Sequence, residues 1–199
     1  MTLDFYYDFG SPNAYMAWKA LSATPGVTLD LRPVLIGGLF KLANNQPPWQ
    51  AFSGVPAKMS YMMVEIGRFA KMYGLSDFKM NPHFPVNTLL AMRAATAAVE
   101  AGVHDAFVPA VFKAMWEDGV DVSKPEELAR VLTEAGLDGE ALVAKTQAPE
   151  VKQALMEATQ ACADRGVFGL PTWFDEAGEM YFGKDCCWMM HPDRGRVLA

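Results

Sequence analysis

Apolar positions fall into three regimes along the chain. Near the N-terminus they form two short runs, Leu3 to Tyr7 and Val27 to Val34, separated by an apolar helical run from Ala14 to Leu21. In the second run Val27, Leu29 and Leu31 alternate with Thr28, Asp30 and Arg32, the period of a strand with one buried face, and Pro33 marks an edge or an end. Two strands joined by a helix form a right-handed crossover that leaves them parallel. From Ala57 to about Gly166 the period becomes helical. Met59, Met62, Met63, Ile66, Phe69, Ala70 and Tyr73 share one face at i, i+3, i+4, i+7, i+10, i+11 and i+14. A second helix, Thr88 to Glu100, is capped by Asn87. A third begins at Asp105, turns Phe107, Val111, Phe112 and Met115 inward, and tolerates Pro109 near its first turn. Ser123-Lys124-Pro125-Glu126 reads as a capping box opening a fourth that ends at Gly136. Asp138 opens a short fifth, and Pro149 a long sixth that stops at Gly166. The chain then returns to strands: Thr172 to Phe174, a turn over Asp175 to Gly178, and Glu179 to Phe182 form a hairpin before a last helix from Asp185.

This order, βαβ then helices then ββα, predicts an α/β protein: a thioredoxin-like domain over 1–35 and 166–199, interrupted by an all-helical insertion over 36–165. The helix over 149–165 is expected to pack back on the first domain. Ile36 to Pro56 is less regular. It runs through Gly37-Gly38, a short turn at Leu39 to Leu42, and a polar, proline-marked loop from Asn44 to Trp49. A long loop in a compact protein is functional or disordered, and its Trp and Phe argue against disorder. The methionine face reads chiefly as core; its alternative is the lining of a flat aromatic pocket.

The 199 residues allow a sizeable core, and 51% hydrophobic with 20% charged residues is the composition of a soluble globular protein. A net charge of -6 without a basic stripe argues against nucleic acid. No apolar run approaches the roughly 18 residues of a membrane span. Met1-Thr2-Leu3-Asp4 lacks the basic and apolar regions of a secretion signal. Cys162, Cys186 and Cys187 are an odd set with an adjacent pair, which suggests a reduced, cytoplasmic protein rather than a disulfide framework. His83, His104 and His191 have no ligand spacing, so no metal site is expected.

The chemistry concentrates in Asp8-Phe9-Gly10-Ser11-Pro12-Asn13-Ala14-Tyr15. A strand, a sharp turn and a helix starting at Ser-Pro place one hydroxyl at a helix N-terminus, where exposed N–H groups favour an anion. Taken alone, Ser followed by Pro is an ordinary helix start. Redox enzymes of the thioredoxin fold carry the first cysteine of Cys-x-x-Cys at this point. Here Ser11 and Ala14 replace both sulfurs. Such a site can hold another molecule's thiolate but cannot form its own disulfide.

Five further segments extend the pattern: Arg32-Pro33-Val34-Leu35-Ile36-Gly37-Gly38, Asn45-Gln46-Pro47-Pro48, Asn81-Pro82-His83-Phe84-Pro85-Val86-Asn87-Thr88, Gly166-Val167-Phe168-Gly169-Leu170-Pro171-Thr172 and Phe182-Gly183-Lys184-Asp185. With them the chain resembles the 2-hydroxychromene-2-carboxylate isomerases, relatives of the kappa-class glutathione transferases and of bacterial disulfide oxidoreductases with a helical insertion. The resemblance implies a homodimer that uses glutathione to convert a small aromatic acid, 2-hydroxychromene-2-carboxylate or a close analogue from aromatic catabolism, to trans-o-hydroxybenzylidenepyruvate. Alternatives are a kappa-type transferase or peroxidase and a non-enzymatic glutathione-binding protein.

Residue by residue, the resemblance makes Ser11 the catalytic serine. It makes Leu170-Pro171 a cis bond whose backbone pairs with glutathione, and Asn45 and Lys58 polar contacts to the same molecule. Asp185 would meet the γ-glutamyl ammonium, a role compatible with capping the last helix. Relatives usually carry Arg after this Asp, where this chain has Cys186. Lys41 would face the acidic substrate, although each lysine alone reads as a solvated charge. Phe40 and Trp49 either wall the aromatic substrate or belong to the core.

Overall fold

The computed structural model describes residues 1–192. Four strands, β1 (Thr2–Tyr7), β2 (Thr28–Pro33), β3 (Thr172–Phe174) and β4 (Met180–Phe182), form one sheet in the order β2-β1-β3-β4. β1 and β2 run parallel with Tyr6 opposite Arg32. β3 pairs antiparallel with β1, Phe5 opposite Trp173, and β4 antiparallel with β3. β1 is a central strand covered on both faces, with Leu3, Phe5 and Tyr7 fully buried and Tyr6 nearly so. This is why its sequence is almost continuously apolar while β2, at the edge, alternates.

Nine α-helices complete the described residues: α1 (Pro12–Ser22), α2 (Ile36–Leu42), α3 (Pro48–Ala51), α4 (Pro56–Met72), α5 (Leu89–Glu100), α6 (His104–Lys113), α7 (Pro125–Glu134), α8 (Gly139–Lys145) and α9 (Pro149–Asp164). Prolines open α1, α3, α4, α7 and α9, where the missing N–H costs nothing and φ is already helical. Five alanines of α5 are buried, which lets it approach its neighbours α6, α8 and α9 closely. α9 also packs against α2 and β2. Among the described residues no helix is long and apolar enough to cross a membrane.

Several local expectations are corrected. The irregular stretch after Ile36 contains two helices, α2 and the single turn α3. The capping box does not form: Ser123 gives its hydroxyl proton to Asp121 at 2.6 Å, and Lys124 stands at the N-cap before Pro125. The last element is a 3-10 helix over Lys184–Met190, preceded by Gly183 at φ 83°, not a helix capped by Asp185. α6 begins one residue early, at His104, so Pro109 lies inside it.

A turn of π-helix, Ala114–Asp118, follows α6 and braces the segment between β1 and α1. The fully buried Trp116 donates its indole N–H to the Phe9 carbonyl at 2.9 Å. Next to it Glu117 accepts from the Tyr15 hydroxyl at 2.8 Å and pairs with Lys19 at 2.9 Å, both on α1. Burial pushes the Glu117 carboxyl up. The hydrogen bonds from Lys19 and Tyr15 and the neighbouring lysine charges outweigh it and leave its pKa below the usual range.

Candidate thiol-binding site

The chain leaves β1 through Asp8-Phe9-Gly10 and enters α1 at Ser11, the N-cap, in an extended conformation (φ -96°, ψ 112°). The Ser11 oxygen accepts the Ala14 N–H at 3.1 Å, meeting one of the amides that a helix start leaves unpaired. Its proton goes to the Leu170 carbonyl at 3.1 Å. The Leu170–Pro171 bond is cis. One hydroxyl therefore joins the first turn of α1 to the cis-proline turn before β3.

These groups open onto a cavity of about 640 Å³. Around Ser11 the wall is made of helix starts: Gly10 to Asn13 before and within α1, Leu35 to Gly37 at α2, and Asn87 to Leu89 at α5. The facing wall is Trp49, Phe52, Met59, Met62, Met63 and Phe84, with Trp49 and Phe84 in edge contact at 5.2 Å. The Phe168 and Phe182 rings, 4.5 Å apart and both exposed, also line it. Among the described residues, none of those lining the cavity carries a formal charge. Within the described lining an anion beside Ser11 is favoured by neutral groups, the hydroxyl and the positive ends of α1 and α5.

Beneath this wall lies Asp8, with no solvent exposure. One oxygen accepts from Gly10 N–H at 2.8 Å and the Thr88 hydroxyl at 2.6 Å, the other from Ile36 N–H at 2.8 Å. Burial raises its pKa above the usual carboxylate value, and these three hydrogen bonds oppose the rise.

Of the residues singled out in the sequence, Ser11, Phe40, Asn45, Trp49 and Leu170 lie together on the lining. Pro171 stands behind it and takes the Gly183 N–H on its carbonyl at 2.9 Å. Asn45 spends its amide within the loops, donating to Phe168 C=O and accepting from Gln46 N–H, both at 2.8 Å. Lys41, Lys58 and Asp185 lie outside the lining. Lys58 rests its ammonium 3.4 Å from the ring centre of Phe52, which places it at the rim. Lys41 is exposed in the last turn of α2. Asp185 accepts from Lys184 at 2.8 Å, with its side chain 63% exposed. Cys186 donates its S–H to the Phe182 carbonyl, and burial pushes the Cys187 thiol well above its usual range. Among the described residues no His, Cys, Asp and Glu cluster could hold a metal.

Sequence reasoning missed Asp8 and Thr88 as partners, the lining role of Phe52, Phe84 and Phe168, and a second cis bond at Phe84–Pro85. An acid directly after the apolar-aromatic run Phe5 to Tyr7 was the available signal for Asp8. The methionine face of α4, expected chiefly as core, is corrected. Met59, Met62 and Met63 line the cavity instead, and only Ile66 and Phe69 of α4 are buried.

The chain is similar to proteins of known activity along its whole length. It is 27% identical to the 2-hydroxychromene-2-carboxylate isomerase of Pseudomonas putida, over 99% of this chain and 96% of that protein. It is 28% identical to glutathione S-transferase kappa 1 of Rattus norvegicus, over 92% and 86%. A solved 2-hydroxychromene-2-carboxylate isomerase superposes with a TM-score of 0.84 at 26% identity, covering 100% of this chain and 96% of that one. The model of the DSBA-like thioredoxin domain matches residues 2–191. With its thioredoxin-like sheet and helices, the chain belongs to the family of DSBA-like thioredoxin domains.

Proposed function

We propose that the chain catalyses the glutathione-dependent cis–trans isomerisation of 2-hydroxychromene-2-carboxylate, or of a close analogue from aromatic catabolism, to trans-o-hydroxybenzylidenepyruvate. The observation that carries this reading is Ser11, a helix-capping hydroxyl on an apolar cavity that no cysteine lines. The whole-length similarity to two kinds of enzyme, an isomerase and a kappa-class transferase, supports it. The same reading makes the protein a cytoplasmic homodimer.

The donors present suit a peptide thiol. Ser11 faces the sulfur, the Leu170 backbone offers strand-like pairing to the cysteinyl unit, and Asn45 holds the adjoining loop. Lys58 from the rim and Asp185 from the 3-10 helix, of opposite sign, serve the charged ends of glutathione, and Lys41 the carboxylate of the substrate. Phe40 and Trp49, with the methionines, take the aromatic ring. When bound, glutathione supplies a thiol that adds to the conjugated carbon skeleton, turns a double bond into a rotatable single bond and is regenerated on elimination.

The chain's own work is to bind, orient and polarise. A free thiol of pKa about 8.5 is only a few per cent ionised at neutral pH. Ser11 stabilises the ionised form by turning its proton from Leu170 toward the sulfur while Ala14 N–H continues to bond its oxygen. The starts of α1 and α5 add to this stabilisation, and the apolar wall keeps water from weakening it.

One observation favours a second reading, a kappa-type transferase or peroxidase: among the described residues the lining offers no cation to a substrate carboxylate. One experiment tests the first reading and separates the two. The absorbance of 2-hydroxychromene-2-carboxylate is followed with enzyme, with and without reduced glutathione, while free thiol is counted. Isomerisation only with glutathione and without loss of thiol is expected. Stoichiometric thiol loss supports the transferase or peroxidase instead, and no acceleration under either condition refutes the isomerase.

A further inference from the structure

Among the described residues, Asp8 is the one ionisable group at the heart of the site that the mechanism leaves unused. It is a fully buried carboxylate held by neutral donors. Burying a charge in this way is costly, and an apolar residue would be cheaper unless the donors themselves needed an acceptor. Here they do. Gly10 N–H belongs to the turn that carries Ser11, Ile36 N–H to the first residue of α2, and the Thr88 hydroxyl to the N-cap of α5. All three of these residues belong to the cavity lining, and Asp8 itself lies behind it. Asp8 and Thr88 are 80 residues apart and still meet at 2.6 Å. The fit is close: a Cβ on Gly10 would lie 3.3 Å from both the Asp8 oxygen and the Thr88 methyl.

We propose that Asp8 is a positioning residue for the thiol site, its carboxylate tying the Ser11 turn to the starts of α2 and α5. It acts through Gly10, Ile36 and Thr88 and touches no reacting atom. Its effect on catalysis rests on the function proposed above; its effect on the geometry does not. Asn in its place offers one oxygen where two are used, so either Ile36 N–H or the Gly10 and Thr88 pair faces an amide NH2. Removing the Thr88 hydroxyl loosens the α5 connection alone.

The test uses the full chain with Asp8→Asn, Asp8→Ala and Thr88→Val. Backbone amide exchange is measured without ligand, and kcat and KM with glutathione and 2-hydroxychromene-2-carboxylate. In Asp8→Asn, exchange at Gly10, Ile36 and Ala14 is expected to accelerate by about tenfold or more relative to the amides of β1, as loss of a charge-assisted hydrogen bond implies. The same change should lower kcat by a similar factor and raise KM for the aromatic substrate far less. Thr88→Val should show a smaller shift in the same direction. If Asp8→Ala does not fold, Asp8→Asn and Thr88→Val decide. Uniform acceleration of all amides with kcat unchanged overturns the proposal, because it describes a residue that only stabilises the fold. Local acceleration in a protein that shows no glutathione-dependent turnover even as wild type refutes the proposed function and upholds the positioning.

Discussion

The wall around Ser11 and the wall around Met62 enclose one cavity and are built by different means. The first consists of backbone and small polar groups at the starts of helices, with Ser11 5% exposed and Asp8 fully buried beneath it. The second comes from α3 and α4, where Trp49, Tyr61, Met63 and Val64 are exposed and only two residues of α4 are buried. Fixed amides and a hydroxyl suit a thiolate, whose position must be set closely for the reaction. Methionines, unbranched and polarisable, adapt to flat rings of differing outline. The difference assigns the chemistry to the first wall and the choice of aromatic to the second.

Ser11→Ala challenges this division most strongly. Loss of one hydrogen bond to the developing charge is expected to lower kcat by one to two orders of magnitude, about 1.4–2.8 kcal/mol. Glutathione affinity, measured by calorimetry, should change much less. Equal losses in binding and turnover would mean that Ser11 holds the ligand without favouring the reaction. A gentler probe is Trp49→Ala. Partial loss of apolar contact, on the order of 1 kcal/mol, should raise KM for the aromatic substrate several-fold and leave glutathione affinity unchanged. If kcat fell and KM stayed constant, the second wall would share in the chemistry and the division would fail.

Much of the first wall was legible in the chain because its signals are local. Ser before Pro marks a helix start wherever it occurs, and Ser11 does cap α1. The change from period two to the helical period and back traced the sheet and the helices between. What was hidden depends on contacts distant in sequence. α2 carries Gly37 and Gly38 in its first turn, poor helix formers, so local propensity argued for a loop. The structure packs it on α9, where Thr159 takes the Leu35 N–H at 3.0 Å and a Cβ on Gly38 would come within 3.3 Å of the Thr159 methyl. The capping box failed because Asp121, two residues earlier, offered Ser123 a stronger acceptor. The methionine period correctly identified one face of α4; periodicity says nothing about whether such a face meets protein or a cavity. Asp8 and Thr88 lie in segments that only the fold brings together.

The central claim is that a cavity whose described lining holds no cation ionises a bound thiol through helix starts and one hydroxyl. The most direct measurement is the ultraviolet thiolate absorbance of glutathione bound to the wild-type protein, titrated from acid to alkaline pH. The account predicts a bound-thiol pKa below about 7.5, against about 8.5 for the free thiol. A bound-thiol pKa at or above the free value would contradict it.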